Sequence, residues 1–209
     1  MDEELLSHPE SRAVGPFPRS HILFRENTPC ANVFCLRSGV VKVSRQGSNG
    51  RAIIVCLYGP GDFLGVNEVL RGAPWSATAT VAQDAIVQSI PAHLFRSICQ
   101  SNGHAWRWFA GQNERTMECL QQRLEVLNHA EAGQRILALL PYLASKCASL
   151  SCDGFEAIIP LKQEDIASLV GATRETTSSL LNTFARAGLV ELRRGKLLIP
   201  SLRALQAHV

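Results

Sequence analysis

The sequence predicts an α+β fold in three parts: an antiparallel β-barrel or jelly roll, a long helix, and a small module of helices with a terminal hairpin. Short β-branched runs punctuated by turn residues fill the stretch from about His21 to Pro91. A heptad stripe then runs from His104 to Glu131. After residue 160, two helical patterns meet at a glycine and are followed by two apolar strands around a basic turn.

In the β region, "HILF", "NVFCLRSGVVKVSR", "RAIIVCLY", "SATATVAQ" and "DAIVQSIP" are rich in β-branched residues, and several alternate with period two. Between them fall "GSNG" at 47 to 50, "GPGD" at 59 to 62 and "RGAP" at 71 to 74. Many short strands at about ten-residue spacing favour an antiparallel barrel or jelly roll over a parallel sheet. This domain is read as residues 21–102, with 1–20 a separate N-terminal segment.

After "PAHLFRSICQSNG" the period changes. From His104 to Glu131 the only glycine is Gly111 and there is no proline, while apolar or small residues recur at Trp106, Ala110, Asn113, Met117, Leu120, Leu124 and Leu127. Steps of four and three make a heptad seam, so Trp106, Asn113, Met117, Leu120, Leu124 and Leu127 are the expected dimer interface. The single polar Asn113 and the flanking charges Glu114, Arg115, Glu118, Arg123 and Glu125 favour a second helix over the parent domain as the partner. A further helical pattern, "AGQRILALLPYLASKC", places a long helix and hinge at 103–131 and a last domain at 132–209.

In that domain "LKQEDIASLVG" puts Ile166, Leu169 and Val170 on one face and stops at Gly171, which can adopt the left-handed conformation of a helix end. Thr173 can cap the next helix, whose expected core face is Leu180, Leu181 and Phe184 and which ends at Gly188. "LVELRRGKLLIPS" then reads as a two-stranded wing around Arg193, Arg194, Gly195 and Lys196.

Composition excludes several classes. No apolar run approaches the roughly 20 residues of a membrane span. The start, "MDEELLSHPE", carries acids where a signal peptide has positive charge, so the expected location is the cytoplasm. The seven cysteines (Cys30, Cys35, Cys56, Cys99, Cys119, Cys147 and Cys152) form no CxxC pair and no ligand-like cluster with histidine, so no metal is expected and no cofactor is specified. Mostly buried, reduced thiols are the ordinary expectation, with the CxxxxC pairs Cys30/Cys35 and Cys147/Cys152 as secondary redox candidates. No activated nucleophile is visible, which argues against an enzyme.

Net charge is +3, unevenly distributed: residues 1–160 hold 14 Lys plus Arg against 14 Asp plus Glu, and residues 161–209 hold 7 against 4. The excess lies where the two helices and the wing fall, a mild pointer to a polyanion. A helix held by a three- or four-residue turn on a preceding helix is the helix-turn-helix unit, whose second helix enters the DNA major groove N-terminus first. In that geometry Arg174 can donate two hydrogen bonds to guanine, Glu175 can accept from a cytosine amino group, and Ser179 lies along the same base-reading face. Thr173, Thr176 and Ser178, with Arg193, Arg194 and Lys196 on the wing, suit phosphates.

"LKQEDIASLVGATRETTSSLLNTFARAGLVELRRGKLLI" resembles the DNA-binding domain of the cyclic-AMP receptor protein/FNR (CRP/FNR) family of bacterial transcription regulators. "NVFCLRSGVVKVSRQGSNGRAIIVCLYGPGDFLG", with Gly61 to Gly65 as its G-D-F-hydrophobic-G element, is similar to the family's double-stranded β-helix sensor domain. The resemblance implies a homodimer joined through the long helix, double-stranded DNA with a roughly palindromic operator as partner, and RNA polymerase as a further partner. It also implies a small-molecule effector, of unspecified identity, that reorients the DNA-binding modules through the hinge near Glu131. Arg174 and Glu175 match the family's reader helix; Ser179 stands where the cyclic-AMP receptor protein and FNR carry arginine.

The effector pocket implied by the resemblance involves Gly65, Val66, Trp75 and Ser76. Cyclic-nucleotide-binding relatives place a glutamate directly after the glycine for the ribose and, about ten residues later, an arginine before a small hydroxyl residue for the cyclic phosphate. Here Val66 and Trp75 occupy those positions, while Glu68 and Arg71 lie off the family spacing. Cyclic AMP is therefore not the expected effector. The rival readings are a signalling module whose winged helix binds protein, and a haem- or redox-responsive member of the same family.

Overall fold

The computed structural model describes residues 2–47, 50, 52–147 and 157–207. The chain divides into two compact units, Met1–Cys119 and Leu120–Val209. The first contains α1 (Asp2–Ser7), β1 (Arg12–Phe17), β2 (Ile22–Phe24), β3 (Asn32–Gln46), β4 (Ala52–Tyr58), β5 (Phe63–Leu64), α2 (Val66–Arg71), β6 (Thr78–Pro91), α3 (Ala92–Ser101) and the first part of α4 (Ala105–Asn128). Its strands form one antiparallel sheet in the order β1-β6-β3-β4, with β2 on β6 and β5 on β3.

The antiparallel arrangement agrees with the sequence reading, but the strand lengths do not. The runs "SATATVAQ" and "DAIVQSIP" fuse into the single strand β6, which pairs along β3. The apparent breaks are bulges. Register shifts fall between Leu36 and Ser38, Ser38 and Val40, and Val40 and Val41. Gly39 sits there with φ 88, and a Cβ on it would collide with the backbone of Asp84 and Ala85, so glycine is what lets the two strands stay paired through the bend.

Strand β1 lies in the stretch read from sequence as a separate segment, yet it pairs with β6. "RAVGPF" shows no alternation because it is an edge strand, mostly exposed, whose Pro16 coincides with a register shift and so removes no ladder bond. Two apolar clusters fill this unit. Leu36, Val41, Leu64, Val81 and Val87 pack inside the sheet, while Leu5, Val33, Val69, Ile90 and Phe95 lie beneath α1 to α3.

The second unit holds the last turns of α4, then α5 (Ala132–Cys147), β7 (Ala157–Ile159), α6 (Gln163–Val170), α7 (Arg174–Arg186), β8 (Glu191–Arg193), β9 (Lys196–Ile199) and α8 (Leu202–Gln206). The expected wing is β8 and β9; β7 adds a third antiparallel strand on the far side of β9. Ile166, Leu169 and Val170 are buried as the period of α6 predicts. On α7 the buried positions are Leu181 and Thr177, whereas Leu180 and Phe184, expected in the core, are half-buried and lie over Gly133 at the start of α5. Among the described residues no helix is long and apolar enough to cross a membrane.

Thr177 is fully buried, and its Oγ1 has no hydrogen-bond partner. Burying an unsatisfied hydroxyl is costly, while replacing it by a methyl of the same shape removes that cost. Thr177→Val should therefore raise stability by about 1 kcal/mol, read as a higher urea midpoint with an unchanged m-value; a lower midpoint would show that the hydroxyl is satisfied.

Candidate nucleic-acid interface

The geometry of α7 begins with the turn before it. Gly171 takes the left-handed conformation, φ 63 and ψ 39, and the N–H groups of Gly171 and Ala172 both donate to the carbonyl of Ala167. The chain reverses within three residues, and Thr173 opens the next helix: its Oγ1 accepts from the Thr176 N–H at 3.1 Å and shares a 3.0 Å hydrogen bond with the Thr176 hydroxyl. The two threonines expected at phosphates thus already cap the helix with part of their hydrogen-bonding capacity.

The capped end faces solvent. Thr173, Arg174, Glu175, Thr176 and Ser179 are exposed and Ser178 is half-buried. One turn further along, Asn182 donates to the Ser178 carbonyl at 2.9 Å and Thr183 to that of Ser179 at 3.2 Å. A cation in the first turn opposes the helix dipole, so Arg174 is not placed there by helix stability. Glu175 complements the dipole.

Arg174 does not stand alone. A cleft of about 250 Å³ is lined by Lys162, Gln163 and Glu164 at the start of α6, by Arg174, and by Leu192 to Leu197 of the wing. It gathers five cations, Lys162, Arg174, Arg193, Arg194 and Lys196, around one carboxylate, Glu164. Lys162 bridges Glu164 at 3.2 Å and Arg193 bridges Glu191 at 2.6 Å, both at exposed positions where such pairs exchange readily with other anions. Among the described residues no carboxylate pairs with Arg174, Arg194 or Lys196. Sequence spacing linked Arg174 to the wing only by analogy; here they share one concavity. Lys162 and Gln163 escaped the sequence reading because they precede α7 by a full helix and reach the cleft only through tertiary folding.

On α4, Met117, Leu120, Leu124 and Leu127 expose 57%, 38%, 68% and 40% of their surfaces, an apolar stripe along an otherwise charged helix. Asn113, expected in the same seam, is half-buried and accepts from the Asn67 amide at 3.2 Å, so its polar group is engaged with α2 of its own unit. The Trp106 side chain lies outside the described residues, as do Cys152 and the side chain of Cys147.

In the sheet domain the positions around Gly65 come together. Trp75 is 4% exposed and stacks on Phe24 with ring centroids 3.5 Å apart and on Phe34 at 5.9 Å, both within 8° of parallel. Its ring lies so close to Gly65 that a Cβ there would meet Cη2 at 2.6 Å. Val66 is buried at the start of α2, and the Ser76 hydroxyl donates to the Glu68 carboxylate. Among the described residues, no group of three or more His, Cys, Asp or Glu side chains is arranged to hold a metal.

A β-sheet domain followed by a helix-turn-helix with a basic cleft and a wing defines a two-domain regulator architecture, and known proteins share it. Residues 15–102 match the cyclic nucleotide-binding domain, and residues 134–208 match the Crp-like helix-turn-helix domain. The chain is 28% identical over 193 residues to the CRP-like cAMP-activated global transcriptional regulator of Mycobacterium tuberculosis, covering 88% of this chain and 82% of that one. It is 25% identical over 202 residues to the global nitrogen regulator of Synechococcus elongatus, covering 95% and 90% of the two chains. A CRP-family transcriptional regulator of Thermus thermophilus superimposes with a TM-score of 0.78 at 24% identity, over 94% of this chain and 95% of that one. The chain belongs to the CRP/FNR family of helix-turn-helix transcription regulators.

Proposed function

We propose that the protein is a dimeric, cytoplasmic regulator that reads a roughly palindromic operator through α7 and acts with RNA polymerase. The observation that carries this reading is the exposed, capped N-terminus of α7 beside the cationic cleft. Arg174 and Glu175 read base edges, with Ser179 on the same face, and Arg194 and Lys196 hold phosphates. Arg193 joins them by exchanging Glu191 for phosphate, and Thr173, Thr176 and Ser178 line the same approach. Lys162 adds a further positive group on the other side of the cleft.

The exposed stripe Met117, Leu120, Leu124 and Leu127 supports a second copy as partner, since an apolar row on a charged helix loses solvent contact by pairing with itself around a twofold axis. The effector differs from cyclic AMP. The position that follows Gly65 is the buried, apolar Val66, and Trp75 covers the glycine where a cyclic phosphate would need a guanidinium. An anion left there without a charge-assisted partner is disfavoured by several kcal/mol. A small, apolar effector or a redox signal fits this site better than a nucleotide.

Arg174→Ala should cost about 1 to 3 kcal/mol per half-site and relax preference at one base pair. Lys196→Ala should weaken all duplexes alike and lower the salt slope by about one. Fluorescence anisotropy on specific and random duplexes separates the two, and equal losses on both duplexes for both variants would refute the assignment.

Leu124→Lys and Leu120→Lys should yield monomers in light scattering with lost operator affinity, because each lysine would face its symmetry mate. Persistent dimers in both variants would place the interface elsewhere. Calorimetry with cyclic AMP and cyclic GMP up to millimolar concentration should show no saturable binding; micromolar binding of either would overturn the reading of Trp75.

A further inference from the structure

Cys56 on β4 and Cys119 on α4 are separated by 63 positions in sequence, yet their sulfurs lie 3.3 Å apart. Cys56 is half-buried and its strand pairs with β3 through Val43; Cys119 is buried, 6% exposed, on α4. A disulfide needs the sulfurs at about 2.05 Å, so the two side chains already meet and only a small approach separates them from a bond. Two other cysteines are chemically quieter. Burial pushes the Cys30 thiol up to about 11 and raises that of Cys99 as well, which keeps both protonated and unreactive. The Cys56 and Cys119 pair thus combines proximity with access from one side.

We propose that Cys56 and Cys119 form a redox-modification site: a hydroperoxide converts this dithiol into an intramolecular disulfide that ties β4 to α4 and changes operator affinity. In the first step the Cys56 thiolate attacks the peroxide, the O–O bond breaks, and the leaving hydroxide takes a proton to become water, leaving Cys56 as the sulfenic acid. In the second, the Cys119 sulfur attacks the Cys56 sulfur, the S–O bond breaks, and the hydroxyl departs as a second water with the Cys119 proton. Two thiols lose two hydrogens and two electrons, and hydrogen peroxide is reduced to two waters. The half-buried Cys56 is the peroxide-reactive member and the buried Cys119 the resolving one. Because α4 also carries the apolar stripe, a bond at Cys119 restrains the helix proposed to join the dimer; this consequence rests on the function proposed above.

The test uses the full chain, reduced and then treated with hydrogen peroxide. Peptide mapping without reductant should find the Cys56 and Cys119 peptides joined and two hydrogens lighter, restored by dithiothreitol and absent in Cys56→Ser and Cys119→Ser. In Cys119→Ser, dimedone should label Cys56, which folding defects alone would not produce. Operator affinity of the wild type should shift by about fivefold or more on oxidation, and neither variant should shift. Disulfides to other cysteines, no crosslink, or dimedone labelling spread over other thiols would overturn the chemistry. A crosslink without an affinity shift would overturn the regulatory half. Failure of both redox states to bind any duplex would contradict the proposed function and its regulatory consequence, while the mass map alone still decides the disulfide.

Discussion

The display of α7 depends on one backbone constraint, the left-handed turn at Gly171. Because that residue closes α6 and the chain reverses immediately, α7 can lay Leu181 and Thr177 into the core beside Ile166 and Val170. With that face buried, the positions on the opposite side of the helix are forced outward. Glu175 and Ser179 are exposed for the same reason that Leu181 is not, whereas Arg174, seven residues before Leu181 and on its side of the helix, is exposed because it stands in the first turn, at the rim of the cleft rather than over the core. The Thr173 cap then satisfies the first-turn N–H of Thr176, and the hairpin of β8 and β9 brings its basic turn to the same cleft. A side chain on residue 171 would strain this conformation, and the reading surface would shift with it.

Much of this module was legible because its signals are local. The period of α6, the glycine at its end, the threonine cap and the strand–basic turn–strand pattern each span a few residues, and each falls where the pattern placed it. What escaped depended on partners distant in sequence. Thr177 reads as a polar helix residue and is buried; Lys162 reads as a residue before a helix and lines the cleft. The Asn113 amide reads as a polar member of the heptad seam, and its contact with Asn67 has no signal in the spacing. The contact between Cys56 and Cys119 has no spacing signature at all; of the CxxxxC pairs that do have one, Cys147/Cys152 falls outside the described residues, while the Cys30 and Cys35 thiols lie against the backbone carbonyls of Asn32 and Leu36.

The β domain shows the same division. Its antiparallel pairing was visible in β-branched alternation, but the junction between "SATATVAQ" and "DAIVQSIP" is absorbed where the register with β3 shifts, so one long strand replaces two short ones. An edge strand carrying glycine and proline left no periodic trace. Trp75 is the informative departure. A large aromatic ring stacked on Phe24 lies against Gly65, one of the positions the family resemblance assigns to the effector pocket. Its burial joins that site to the sheet's own core, so the loop after Gly65 is held by aromatic packing.

The central claim is that two copies of α7 read one symmetric stretch of duplex, and selection of bound sequences from a random duplex pool tests it most directly. The account predicts enrichment of inverted half-sites whose centres lie about 10 base pairs apart, one helical turn, as paired recognition helices require. Recovery of unrelated sequences with no shared half-site, or of a single half-site without its inverted repeat, would contradict it.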